Sequence, residues 1–120
     1  MSASLVTVET HDDITILTLS PRCANLSESL IQPVNEAFLE ASAAAQPKVL
    51  VDLEHVSFFS SSFIEILFRL WKHIKEKPGG RFALASVSPD CLEILQVTNL
   101  TTVWDVFDDR DAALAALAES

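Results

Sequence analysis

The sequence predicts an α/β domain built on a mostly parallel sheet of four to five strands with about four helices, in the order ββαβαβαβα. Three observations lead there. Short β-rich runs alternate with amphipathic stretches of helical period along the chain. One run, residues 48–53 (KVLVDL), is a near-continuous series of valine and leucine, as expected of a strand covered on both faces. Single helices separate the later strands, and such spacing forces parallel pairing through right-handed crossovers.

The elements follow in order. Residues 5–8 (LVTV) and 14–19 (ITILTL) read as two strands, with the polar stretch 9–13 (ETHDD) as their hairpin connection. Beyond Pro21, Leu26, Leu30, Val34, Phe38 and Ala41 recur at spacings of three and four, the period of an amphipathic helix, which is read over residues 27–45. Ser27 is its expected N-cap, and Pro33 is expected to distort its first turns. Pro47 stops this helix before the central strand at 48–53. From 63 to 77 the apolar residues Phe63, Ile64, Ile66, Leu67, Leu70, Trp71 and Ile74 form a wide stripe, complemented by Glu65, Arg69, Lys72, His73 and Glu76. Pro-Gly-Gly at 78–80 ends that helix. Residues 81–87 (RFALASV) read as a strand, and 89–97 as a short helix opened by Ser88 as N-cap with Pro89 at the first helical position. Residues 103–107 (VWDVF) read as the last strand, and the alanine-rich stretch 109–118 as the last helix. With 120 residues, 49% of them hydrophobic, and no repeat or linker, residues 1–120 are expected to form one domain around one core.

Composition excludes several functions. Seventeen acidic residues against eight basic ones give a net charge of −9, with the acids spread along the chain, so no basic stripe is available for phosphate backbones and nucleic-acid binding is not expected. No apolar run approaches the roughly 20 residues that span a bilayer, and the N-terminus lacks a basic flank followed by an apolar stretch. The chain therefore reads as soluble and cytoplasmic, without direct membrane insertion. Cys23 and Cys91 have neither CxxC spacing nor a neighbouring histidine, which points to reduced structural thiols and implies no metal and no cofactor. His11, His55 and His73 are scattered over a hairpin, a loop and a helix. His55 lies close enough to the serines at 60–62 for a serine–histidine pair, but reads more naturally as a solvated loop residue. No dinucleotide fingerprint, Walker lysine or nucleophile elbow occurs. Binding is favoured over catalysis.

The segment Phe58-Phe59-Ser60-Ser61-Ser62-Phe63 stands at the start of the second helix. Two capping arrangements are open: Ser62 with Glu65 as a capping box, or Ser60 with a Phe59–Ile64 hydrophobic staple. A helix N-terminus also offers unpaired N–H groups and positive dipole character, a favourable place for a phosphate on serine. Phe58, Phe59 and Phe63 are candidates for an apolar docking patch, with Phe58 alternatively core at a strand end.

This strand–turn–helix unit, Val51-Asp52-Leu53 through Phe63, resembles the functional turn of STAS domains, the small α/β modules of bacterial anti-sigma factor antagonists. The resemblance continues through Arg81–Val87, Ser88-Pro89, Leu92–Leu95, Leu100–Phe107 and Ala112–Leu117, and is weak before residue 45. It implies that the first serine after the family's aspartate, here Ser61, is phosphorylated by a partner kinase that is itself an anti-sigma factor. The implied function is partner switching: the unmodified protein binds the anti-sigma factor/serine kinase, and phosphorylation ends the binding by adding about −1.5 to −2 charges. Ser60, Ser61, Ser62, Phe59 and Phe63 would form the switch turn and partner-binding surface, and a homodimer is compatible with the resemblance. Two positions depart from the family pattern, Ser60 for aspartate and Phe63 for glycine, and Pro21-Arg22-Cys23-Ala24 departs where relatives carry glycine and an acid. The alternative is a STAS module without the switch, a fixed subunit of a stressosome-like or transporter-associated complex. Nucleotide binding at the turn is disfavoured by its lack of glycine.

Overall fold

The computed structural model describes residues 5–26, 28–44 and 47–118. Strands β1 (Val6–His11) and β2 (Ile14–Leu19) pair antiparallel, with Val6 opposite Leu19 and His11 opposite Ile14. Only Asp12 and Asp13 connect them, a tighter turn than the five residues expected. Asp12 takes a left-handed backbone (φ 56°), which a short polar side chain tolerates, so Glu9, Thr10 and His11 stay in the ladder.

A 3-10 turn at Pro21–Cys23 leads into the two-residue strand β3 (Asn25–Leu26) and then α1 (Glu28–Ala44), which contains Pro33. The expected cap Ser27 lies outside the described residues. Next come β4 (Lys48–Asp52), a second two-residue strand β5 (Phe58–Phe59), α2 (Ser61–Lys75), β6 (Arg81–Ala85), α3 (Pro89–Val97), β7 (Asp105–Phe107) and α4 (Arg110–Ala118). The main sheet runs β1-β2-β4-β6-β7, parallel except for β1, with Ile16 opposite Leu50, Leu50 opposite Ala83 and Ala83 opposite Asp105.

Alternation along these strands sorts the core into two layers. Leu17, Leu19, Val49, Val51, Phe82 and Leu84 face α1, α2 and α3, meeting Val34, Phe38, Ile66, Leu70 and Leu95. Ile14, Ile16, Leu50, Ala83 and Ala85 face the other way, where Ala113 and Leu117 of α4 cover them.

Several boundaries differ from expectation for local reasons. Helix α2 starts at Ser61 rather than 63, because the Phe63 N–H already bonds the Ser60 carbonyl (3.1 Å). It ends at Lys75, and the chain reverses through Gly79 (φ +73°) and Gly80, where a Cβ would collide with the Ile74 carbonyl. Strand β6 stops at Ala85 because Ser86 is left-handed (φ 62°). Val103 and Trp104 belong to a turn rather than the last strand, the Trp104 N–H reaching back to the Leu100 carbonyl (2.8 Å). At α3, Ser88 caps the Cys91 N–H with Pro89 in the first turn, as the sequence indicates.

Candidate functional site

The serine turn sits at the C-terminal end of the sheet, between β4 and α2, and two neighbouring segments hold its approach. On one side, the N–H groups of Ser57 and Phe58 both donate to the Ala24 carbonyl (2.7 and 3.1 Å), and β5 pairs in parallel with β3, Phe59 opposite Leu26. On the other, the Ser88 hydroxyl donates to the Ser57 carbonyl (2.9 Å) while accepting from the Cys91 N–H, and the Cys91 thiol also points at that carbonyl (3.6 Å). Burial pushes the Cys91 pKa up; hydrogen bonds from Ser88 and the Phe59 backbone oppose this, and the net shift is upward. Cys91 thus serves as a neutral structural thiol.

Within the turn, Ser60 occupies the N-cap position by its backbone, but its side chain makes no capping bond, and its buried Oγ has no hydrogen-bond partner among the described residues. Ser62 lies inside the first turn of α2, so the Ser62–Glu65 capping box is not the start of this helix. Ser61 is the first helical residue and is exposed to solvent. The first turn of α2 carries no acidic residue, so the helix supplies no carboxylate of its own to offset the positive end of its dipole.

The phenylalanines divide differently from expectation. Phe59 and Phe63 are both 0% exposed, their ring centroids 5.3 Å apart, with Phe38 of α1 6.1 Å from Phe63. Neither can present its ring to a partner, and this corrects their assignment to a contact surface: they anchor the turn from below. Phe58 is 49% exposed and is the ring that faces solvent. Strand alternation explains why Phe58 and Phe59 part, since successive side chains point to opposite sides, while Phe63 lies on the buried face of α2.

The end of β4 is held by a network that the sequence reading did not foresee. Asp52 is 1% exposed. One of its carboxylate oxygens accepts from the Glu54 N–H (3.0 Å), and the other from Arg110 Nε of α4 (2.9 Å). Arg110 also donates through Nη2 to Thr18 Oγ1 (2.7 Å) and through Nη1 to Glu9 (3.4 Å), tying α4 to β1, β2 and β4. Burial acts to lower the Arg110 pKa, but the hydrogen bond and charge of Asp52, with Glu9 behind them, outweigh it and hold the guanidinium charged. The available signal was an aspartate closing a run of buried apolar residues and a lone arginine in the acidic stretch 105–111.

The histidines stay apart. His11 lies 3.8 Å from Asp12 at the hairpin. His55 is exposed in the loop before β5, and His73 is exposed on α2. Among the described residues, no group of three or more His, Cys, Asp or Glu side chains is placed to hold a metal ion, and no helix is long and apolar enough to cross a membrane.

The model of the STAS domain matches residues 6–113. The chain belongs to the STAS domain family. Among solved structures, a STAS domain protein of Planctomyces limnophilus described as an anti-sigma-factor antagonist is 45% identical, superposes with a TM-score of 0.87, and is matched over 94% of this chain and 97% of its own. The phosphorylated form of the Bacillus cell fate determinant SpoIIAA shares the STAS fold at 17% identity with a TM-score of 0.70, over 93% of this chain and 98% of its own. BtrV of Bordetella bronchiseptica, provisionally named an anti-sigma factor antagonist, is 24% identical over 94 residues, 74% of this chain and 80% of that protein. The five-stranded, mostly parallel sheet with four helices is the STAS architecture that the sequence predicts.

Proposed function

We propose that this STAS domain is a cytoplasmic partner-switching protein of the anti-sigma factor antagonist type, acting as a single domain that binds an anti-sigma factor/serine kinase and is released by phosphorylation at Ser61. The observation that carries this reading is the position of Ser61: exposed, first in α2, at a helix N-terminus without an acid in its first turn. A phosphate there meets the unpaired N–H groups and positive dipole of the helix, so the modified form is accommodated within the fold. The same charge, about −1.5 to −2, repels a partner surface fitted to a neutral hydroxyl. Ser60 and Ser62 flank the switch, Phe58 supplies its exposed apolar contact, and the buried pair Phe59 and Phe63 fix the angle at which the turn is shown. The protein works by binding and not by turnover.

The test is intact-mass spectrometry with site mapping of the protein isolated from its native host during growth and under stress. Phosphate on Ser61 that is present in one condition and absent in the other supports the switch. A serine turn unmodified in every condition overturns it and favours the fixed scaffold subunit.

A further inference from the structure

The basic side chains of this acidic protein are unevenly placed. Residues 69–81 hold five of the eight, Arg69, Lys72, Lys75, Lys77 and Arg81, against the single acid Glu76 among seventeen; the segment carries +4 and the rest of the chain −13. It comprises the C-terminal part of α2, the turn after it and the first residue of β6. An aromatic surface lies beside it. Phe68 is 40% exposed and packs edge-on against Trp71 and Trp104, with centroids 5.7 and 5.3 Å away, and Lys75 Nζ sits 4.9 Å from the Trp71 ring. Trp71, Lys75, Arg81, Phe82, Val103 and Asp105 line a groove of about 550 Å³. Lys72 follows Phe68 by one helical turn on this side, whereas Arg69 lines a cavity against α1 and Lys77 donates to the Ser42 carbonyl of α1 (2.9 Å). The groove lies at the far end of α2 from Ser61, about 20 Å away at the helical rise per residue.

We propose that this groove is a second docking site, separate from the serine turn, for an acidic amphipathic segment of a partner protein. Charge complementarity selects the occupant. Apolar side chains of the segment lie on Phe68, Trp71 and Val103, and its carboxylates meet Lys72, Lys75 and Arg81. Arg81 now pairs with Asp105 at 3.2 Å in a bridge exposed on both sides, a contact weak enough for an incoming carboxylate to share. A nucleic acid would extend its phosphates beyond the patch toward the acidic remainder of the chain, whose residues sum to −13. A second copy would seat its acidic face head to tail, leaving an open groove at the end of each growing chain. A short acidic segment meets neither obstacle.

The probe is a fluorescein-labelled synthetic helix of about four turns, with leucine and phenylalanine on one face and glutamate on the other, titrated with the whole protein. Saturable micromolar binding is expected, with shifts of the Trp71 and Trp104 indole N–H signals in NMR spectra. The pair Lys72→Glu and Lys75→Glu, both exposed positions, should weaken it at least about tenfold while lowering thermal stability only modestly, since two acids in the last turn of α2 oppose its dipole, and about 0.5 M salt should weaken it as well. Ser61→Asp should leave it unchanged. The proposal is overturned by absence of saturation at millimolar peptide, by shifts confined to the serine turn, or by equal binding of a peptide with lysine in place of glutamate. Tighter binding of a single-stranded oligonucleotide, or self-association in sedimentation that the same two substitutions abolish, overturns it as well.

Discussion

Arg110 Nε meets Asp52 Oδ2 at 2.9 Å across 58 residues of sequence, and this contact joins the last helix to the strand that precedes the serine turn. Arg110→Ala would leave a carboxylate that is 1% exposed without its counter-charge. We expect a loss of about 2–4 kcal/mol in urea unfolding, toward the lower part of what broken buried pairs cost because the arginine side chain keeps partial solvent contact. Arg110→Lys should restore only part of it, since one ammonium cannot serve Asp52, Thr18 and Glu9 in the planar geometry of a guanidinium. A loss under about 0.5 kcal/mol for Arg110→Ala would show that the network is only a surface pairing.

Ser61 should separate stability from binding. As an exposed first residue of α2, Ser61→Asp is expected to change unfolding free energy by no more than about 1 kcal/mol, in the stabilising direction, because an acid at this end complements the dipole. Calorimetric titration with a purified kinase partner should show at least about tenfold weaker binding for Ser61→Asp and near-normal binding for Ser61→Ala. Equal affinities for the two variants would contradict the switch.

Phe63→Gly installs the residue that the family pattern carries, yet here it removes a ring packed on Phe38 and Phe59. The expected cost is about 3–5 kcal/mol, the range for deleting a buried phenylalanine, read as a lower urea midpoint with an unchanged slope. A near-neutral variant would mean that the pocket refills by collapse.

Cys91 supplies a pH signature. Its folded-state pKa is raised, so the neutral thiol is the form the fold prefers. That contribution is fully present below the unfolded value, near about 8.5, and is lost as pH rises through the higher folded value. Unfolding measured between pH 8 and 10.5, in roughly half-unit steps, should show a steeper alkaline decline for the parent protein than for Cys91→Ala. Identical slopes would remove Cys91 as the cause.

Those elements whose causes are local could be read in the amino-acid order alone. Ser88-Pro89 announces the start of α3 because capping and the fixed proline backbone act within three residues. The valines and leucines of β4 announce a strand buried on both faces. The ladder between β3 and β5 could not be read, since two residues on each side carry no period and the Ala24 carbonyl that organises them lies over thirty residues from its donors. Ser61 was singled out through the resemblance of its turn, whereas the burial of Phe59 required knowing that β5 aims alternate rings inward and outward, and that of Phe63 that α2 turns this residue onto Phe38 of α1. The Asp52–Arg110 pair joins two charges whose partnership exists only once the sheet has placed Thr18 and Glu9 beside them.

The covering of the sheet's second face chiefly by α4 has a consequence for how the chain acquires its shape during synthesis. Until Ala113 and Leu117 are made, Ile14, Ile16 and Leu50 lack the helix that packs over them, and Asp52 waits for a counter-charge that arrives 58 residues later. Every other strand and helix will by then have been synthesised. Closure of this face is accordingly a late event, and a chain truncated after Phe107 exposes Ile14, Ile16 and Leu50 as an apolar surface open to chaperones.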